Sequence, residues 1–167
     1  MKKILLAVCV AALVAVAGCG GNGGSDQAGI DRGIDIDDNS AGAANVTHGI
    51  GVEVGGMIAG SGLTEITATY PEGQFVVGSA QPDEIVIRID ADGDSESERT
   101  INGSQITGVE NTANSFTLTL DSDDTLQSGY IVLVEYPAIT NPDEPGEYTV
   151  EVRLNGRQTS EVTAVIE

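Results

Sequence analysis

The residues best suited to chemistry form one acidic run, Asp90-Ala91-Asp92-Gly93-Asp94-Ser95-Glu96. Calcium takes roughly six to eight hard oxygen ligands, and carboxylates at alternate positions of a tight loop can converge on one ion. The candidate calcium ligands are therefore Asp90, Asp92, Asp94 and Glu96. The run is not an EF-hand, which has glycine sixth and glutamate twelfth, because here Gly93 is fourth and Ile101 is twelfth.

The acidic run has a second interpretation, a solvated surface hairpin whose charges are held apart by water and screened by salt. The sequence leaves calcium binding and this plain hairpin both open. A further acidic stretch, Asp121-Ser122-Asp123-Asp124, is a weaker ligand candidate and is more typical of a simple turn. Calcium is the one cofactor that the sequence suggests.

Catalytic residues are scarce. The chain has one histidine, His48, which we expect to be exposed at the edge of a flexible segment. No Gly-x-Ser-x-Gly motif accompanies it, and no glycine-rich phosphate loop precedes a helix. Among 26 acidic residues, no pair stands out as a general acid and base. We therefore predict that the protein is not an enzyme.

The first residues have the composition of an export signal. Lys2 and Lys3 are followed by 14 apolar residues from Ile4 to Ala17, which is too short for a membrane-spanning helix of about 20 but suits a signal peptide. Val16-Ala17-Gly18-Cys19 resembles the lipobox of exported lipoproteins. The resemblance implies cleavage after Gly18 and a lipid on the Cys19 sulfur. An ordinary signal cut nearby, which would leave Cys19 as a free thiol, is the alternative.

Removal of residues 1–18 would take away Cys9 and both lysines, leaving five arginines against 26 acidic residues, a net charge of −21. Such a chain repels nucleic acid and has no basic patch for anionic lipids. One remaining cysteine allows no internal disulfide. The self-repulsion is tolerable where concentrated salt screens it within ~3 Å at 1 M, and we therefore expect a salt-loving source.

Three segments follow from the composition: a signal peptide over 1–18, a Gly/Asp-rich flexible tether over 19–45 and a β domain over 46–167. The tether composition is typical of a flexible spacer, although Ile34–Asp38 is compatible with a short strand. Disorder of the whole chain is disfavoured, because 40% of its residues are hydrophobic and they alternate regularly.

From Val46 onward the apolar residues have period two, as in half-buried strands. The alternating runs are Ile50–Val54, Thr64–Tyr70, Ile85–Ile89, Phe116–Leu120, Tyr148–Leu154 and Val162–Ile166, while Tyr130–Tyr136 is apolar on both faces. Asn155-Gly156 predicts a tight hairpin, and Pro137, Pro142 and Pro145 are expected between strands. The sequence predicts an all-β, immunoglobulin-like antiparallel two-sheet sandwich of about seven to nine strands.

The run Asn141-Pro142-Asp143-Glu144-Pro145-Gly146-Glu147-Tyr148-Thr149-Val150 resembles one connection and strand of β-sandwich modules in archaeal surface glycoproteins, especially haloarchaeal ones. The resemblance implies an immunoglobulin-like fold with a role in envelopes and adhesion, and it brings no catalytic residues. Such proteins usually have a C-terminal anchor, whereas this sequence suggests anchoring at Cys19.

Two glycosylation triplets, Asn45-Val46-Thr47 and Asn102-Gly103-Ser104, fall in expected loops, although Asn102 also suits a turn before Gly103. Taken together, the sequence predicts an exported protein on the outer face of the cell membrane, held there by Cys19. Its role would be structural, adhesive or recognition, with envelope or surface proteins as partners. The alternative is a calcium- or small-ligand-binding module that uses loops 90–96 and 121–124.

Overall fold

The structure is a computed structural model, and it describes residues 32–167. The expected signal peptide, Cys19 and the first part of the expected tether lie outside the described residues. Within residues 32–167, no helix is long and apolar enough to cross a membrane.

Eleven strands and two short 3₁₀ helices make up the described chain. The strands are β1 (Gly33–Ile36), β2 (Val46–Glu53), β3 (Glu65–Thr69), β4 (Val76–Val77), β5 (Val86–Asp90), β6 (Arg99–Ile101), β7 (Ile106–Asn111), β8 (Ser115–Leu120), β9 (Ile131–Thr140), β10 (Gly146–Leu154) and β11 (Gln158–Ile166). The 3₁₀ helices are Pro82–Glu84 and Gly103–Gln105.

The strands form two antiparallel sheets, which confirms the predicted all-β sandwich. One sheet has the order β1-β2-β9-β5-β6, with β4 also paired to β9, and the other has the order β11-β10-β3-β8-β7. The strand number exceeds the predicted seven to nine. The alternating runs of the sequence did not include β4, β6 or β7, and β4 and β6 have only two and three residues. Runs that short contain too little alternation to be recognised as strands.

The core lies between the two sheets and consists of the inward residues of nearly every strand. Phe116 on β8 stacks on Tyr136 on β9 with ring centroids 4.0 Å apart and an angle of 3° between the rings. This contact joins the sheets, since β8 and β9 belong to different ones. Strand β9 pairs with both β2 and β5, as its apolar residues on both faces predicted for a central strand.

The last part of the expected tether belongs to the folded domain, so the predicted boundary at residue 45 is wrong for residues 33–45. Strand β1 pairs with β2, and Ile34 and Ile36 pack against the core. The Ala41 N–H then donates to the Glu167 carbonyl at 2.8 Å, and the Gly42 N–H donates to the Pro142 carbonyl at 2.7 Å. Although β1 contributes only two isoleucines to the core, it forms a strand because the edge of β2 supplies its backbone hydrogen-bond partners.

Pro137 lies inside β9 and not between strands as predicted, whereas Pro142 and Pro145 do lie between β9 and β10. The pairing of β9 with β2 shifts between Tyr136 and Ile139. Ala138, in the middle of this β-bulge, has a φ of +78°. Residues in a bulge are left out of the regular ladder, so the missing N–H of proline is tolerated there.

The predicted hairpin at Asn155-Gly156 is confirmed. It joins β10 to β11, and the two residues have φ values of +52° and +61°. The Asn155 side chain also accepts the Thr64 N–H at 2.8 Å and donates to the Gly62 carbonyl at 2.8 Å. The turn therefore fixes the start of β3 as well as the β10–β11 register.

Candidate functional site

The acidic run connects β5 to β6, and it folds around its first carboxylate. Asp90 is the last residue of β5 and is buried. Its Oδ1 accepts the N–H groups of Asp92 at 3.0 Å and Gly93 at 2.6 Å, and its Oδ2 accepts the Ser95 N–H at 3.1 Å. These three hydrogen bonds give the loop a defined shape and satisfy a buried charge.

Four carboxylates of this hairpin converge: one oxygen each from Asp90, Asp92, Asp94 and Glu98, all within 4.8 Å of one another. Three of the four predicted ligands are among them, but Glu98 takes the place of Glu96. The exposed Glu96 donates its N–H to Asp94 Oδ1 at 2.9 Å and is not in the cluster. Such a set of hard oxygens suits calcium.

Glu98 reaches the cluster because the chain turns back toward β5 at this point. Its N–H donates to the Ile89 carbonyl at 3.1 Å, and its carboxylate accepts the Ala91 N–H at 2.5 Å. Counting alternate positions along the loop could not find it, since its place depends on the β5–β6 register. The signal available in the sequence was an acidic residue directly before a strand.

The cluster is strongly negative. The nearby Asp94 raises the pKa of the exposed Asp92 carboxyl, with smaller contributions from partial desolvation and from Glu98. The direction indicates mutual repulsion among carboxylates, because a like charge disfavours the ionised form. A divalent cation would relieve that repulsion.

The second acidic stretch is bound to other parts of the fold. Asp124 accepts a hydrogen bond from Arg99 Nη1 at 3.4 Å and one from Ser122 Oγ at 3.0 Å. Its carbonyl accepts the Leu63 N–H at 3.3 Å. Asp121 and Asp123 are exposed, and within residues 32–167 none of the three is part of a metal-type cluster.

Both candidate glycosylation residues are exposed. Asn45 directly precedes β2 with a φ of +57°. Asn102 has a φ of −84° and precedes the 3₁₀ helix Gly103–Gln105, so it caps a helical turn and not a hairpin. A Cβ on Gly103 would lie 2.7 Å from the Pro82 carbonyl oxygen, which explains the glycine there by close packing.

The lone histidine is buried, which contradicts the expectation that it is exposed. His48 is 0% exposed, and its ring packs edge-on against Tyr70 and Phe75 with centroids 5.6 Å and 5.9 Å away. The period-two pattern begins at Val46, and residue 48 shares the inward face with Val46 and Ile50. This alternation is the feature of the sequence that could have predicted the burial of His48.

Both ring nitrogens of His48 have partners. Nε2 lies 3.1 Å from Asn141 Oδ1, and the Tyr70 hydroxyl lies 3.2 Å from Nδ1. The Asn141 amide nitrogen donates to the carbonyls of Asp38 at 2.8 Å and Ser40 at 3.1 Å. Asn141 Oδ1 is therefore the acceptor, so Nε2 carries the proton and Nδ1 accepts the Tyr70 hydroxyl.

Burial lowers the pKa of His48 to about 4, and the Asn141 hydrogen bond and the negative charge of Asp37 offset this only in part. At neutral pH the ring is uncharged, and both nitrogens are engaged within the fold. The geometry suits a structural role, in which Asn141 links His48 to the segment over residues 38–40. The sequence had marked Asn141 only as part of a family-like run.

The chain matches no protein-family model and no curated protein. Among solved structures, it is similar to BslA, a bacterial hydrophobin (15% identity over 80% of this chain and 94% of that one, TM-score 0.41). It is also similar to a group B streptococcus pilus 2b backbone protein (14% identity over 80% of this chain and 56% of that one, TM-score 0.44). A third similar structure is a Nocardia farcinica protein with an immunoglobulin-like fold (14% identity over 77% of this chain and 80% of that one, TM-score 0.38). At such low similarity, no activity of these proteins transfers to this chain.

Proposed function

We propose that this protein is a lipid-anchored extracytoplasmic surface protein with a non-catalytic structural, adhesive or recognition role. The observation that carries the proposal is the order of three features. A charged and apolar signal leads to Gly18-Cys19, a Gly/Asp-rich spacer follows, and an all-β sandwich begins by Gly33. Export and lipid attachment at Cys19 would place the sandwich just outside the membrane, where it meets envelope proteins.

A non-catalytic role is supported by the state of the one histidine. His48 is buried, neutral and hydrogen-bonded through both ring nitrogens. A general base must reach the proton that it abstracts from a substrate, and this ring is enclosed by Tyr70, Phe75 and Asn141. The large negative charge suits a soluble surface exposed to salt.

Replacing the acceptor of the lipid should release the protein from the membrane. In cells that process lipoproteins, Cys19→Ser is expected to move the chain from the membrane fraction to the soluble one, because the serine cannot be thioacylated or thioether-linked. The measurement is fractionation with an antibody against the domain, together with incorporation of a labelled fatty acid.

Cys9→Ser is the matched control, since it removes the other cysteine from within the apolar run. It should leave labelling and membrane association unchanged. A Cys19→Ser protein that still sediments with membranes would overturn the anchoring proposal.

A calcium-binding module is the second candidate function, favoured by the convergence of Asp90, Asp92, Asp94 and Glu98. Asp90 already holds the loop through backbone hydrogen bonds. The three exposed carboxylates would supply the remaining ligands, and water would complete the coordination of the ion. Loop 121–124 lies outside this cluster and would act only as flanking charge.

Calcium should then raise the thermal midpoint in concentrated salt relative to a chelator. A ligand specific to the folded state adds RT ln(1 + [L]/Kd), ~2.7 kcal/mol at a hundredfold excess over Kd, which is a rise of several degrees. Asp92→Asn should abolish the rise, whereas Asp121→Asn, in the other acidic loop, should retain it. Equal midpoints with calcium and chelator would exclude the site.

A further inference from the structure

Strand β11 is the outermost strand of its sheet, and β1 of the other sheet lies close to it without forming a hydrogen-bonded ladder with it. Within residues 32–167 its ladder partner is β10 alone. The Glu167 N–H donates to the Asn39 carbonyl and the Glu167 carbonyl accepts the Ala41 N–H, both at 2.8 Å. Glu167 thus points its backbone groups away from β10.

The backbone groups of a strand point alternately to its two neighbours. The residues at the same parity as Glu167 therefore direct their N–H and C=O groups to the free edge: Thr159, Glu161, Thr163 and Val165. None of the four has a backbone hydrogen bond on that side within the described chain. We call this row the β11 edge. Such a row is a template for pairing with another strand.

A groove runs beside part of the β11 edge. It has a volume of about 390 Å³ and is lined by Arg32, Gly33, residues 51–53 and residues 160–163. Among residues 32–167, β1 pairs with β2 only as far as Gly33 opposite Gly51, so Val52 and Glu53 pair with β9 alone. Val52 and Val162 give the groove an apolar part, and Arg32 forms an ion pair with Glu53 at 2.7 Å.

The side chains next to the edge are acidic. Glu161 lies directly opposite Glu151 on β10. The two residues form a non-hydrogen-bonded pair, the type of pair in which facing side chains come closest. Like charges so placed are unfavourable. Neither glutamate forms an ion pair within residues 32–167, and the neighbouring Arg153 donates instead to the Gly156 carbonyl at 3.2 Å.

We propose that the β11 edge binds an extended polypeptide segment of another protein by strand addition, with a lysine or arginine of that segment placed beside Glu161. The free backbone groups supply the hydrogen bonds, and the glutamate pair selects a cationic side chain. A second copy of this chain fits less well, because it would bring its own Glu161 and its own negative charge to the contact.

This inference deepens the recognition role proposed above and rests on it only in naming the partner. Binding to the purified protein tests the edge, whereas fractionation of the Cys19→Ser variant tests the anchor. Either can fail without the other.

The probe is a capped eight-residue peptide of alternating valine and lysine. Amide hydrogen exchange, followed by NMR on the whole chain, should slow at least about tenfold at Thr159, Glu161, Thr163 and Val165 when the peptide is saturating. A matched peptide that is N-methylated at every residue has the same charge but has no N–H to donate on either edge. It should give no protection at these amides.

Glu161→Lys should weaken binding of the lysine peptide about tenfold, the effect of ~1.4 kcal/mol in affinity. The control is Glu110→Lys, which changes an equally exposed glutamate on β7 at the other edge of the same sheet and should leave affinity unchanged. Protection by the N-methylated peptide, or unchanged exchange with the valine–lysine peptide, would overturn the proposal. Protection that rises with protein concentration in the absence of peptide would overturn it in favour of a second copy.

Discussion

Between pH 6.5 and pH 4, the free energy of unfolding is expected to fall by about 3 kcal/mol more in this protein than in a His48→Gln variant. The buried ring has a pKa lowered to about 4, against 6.5 for the exposed side chain. Between these two pH values His48 is protonated in the unfolded chain but stays neutral in the folded chain, so acid favours unfolding. The contribution of His48 is complete above pH 6.5 and is lost as the pH falls toward 4.

The hydrogen bonds of the His48 ring explain why it is not protonated in the folded state. A second N–H on the ring would point at the Tyr70 hydroxyl, which donates to Nδ1 in the neutral state. Tyr70 is buried, so its own proton would then need a new acceptor inside the core. An unpaired polar group and a buried charge are both costly.

Urea unfolding at a series of pH values measures the difference. The many carboxylates also titrate in this range, but they are the same in both proteins and cancel in the comparison. Glutamine is a suitable replacement because it is uncharged and can donate to Asn141 without titrating. Parallel curves of stability against pH for the two proteins would show that His48 is not the group responsible.

The alternation of side chains carried most of the prediction of the fold. Strands such as β8 and β10 bury every second residue, and a half-buried strand requires this pattern at any place in the sheet. Strands β1 and β4 depend on a neighbour that is distant in sequence, since β1 needs the edge of β2 and β4 the end of β9. The residues of β1 were compatible with a short strand but did not require one, and those of β4 contain too little alternation to predict a strand.

The same limit applies to the candidate site. Asp90, Asp92 and Asp94 follow one another closely, so local chain geometry alone can bring them together. Glu98 joins them only when β6 pairs with β5 in one particular register. The expectation that His48 is exposed is wrong for the opposite reason. Its local pattern was informative, but a polar side chain on an inward position has to find partners, and Tyr70 and Asn141 come from elsewhere in the chain.

Asn141→Ala is expected to lower the free energy of unfolding by about 3 kcal/mol, because it leaves several buried groups without a partner. The Asn141 side chain accepts from His48 and donates to the carbonyls of Asp38 and Ser40. Asn141 therefore links residues 38–40, which follow β1, to the start of the β9–β10 connection. Once the amide is gone, that segment should detach before the sandwich unfolds.

Hydrogen exchange distinguishes this detachment from general destabilisation. The N–H groups of Ala41 and Gly42, which donate to Glu167 and Pro142, should exchange much faster in the variant at a pH where β8 and β9 remain protected. Asn114→Ala is the matched control. Within residues 32–167 the Asn114 side chain donates to the Tyr70 carbonyl at 2.9 Å and accepts a long hydrogen bond from the exposed Thr112 at 3.4 Å. About 1 kcal/mol should therefore be lost with no change at residues 41 and 42. If Asn141→Ala speeds exchange equally in all strands, the asparagine stabilises the sandwich as a whole and does not hold this segment in particular.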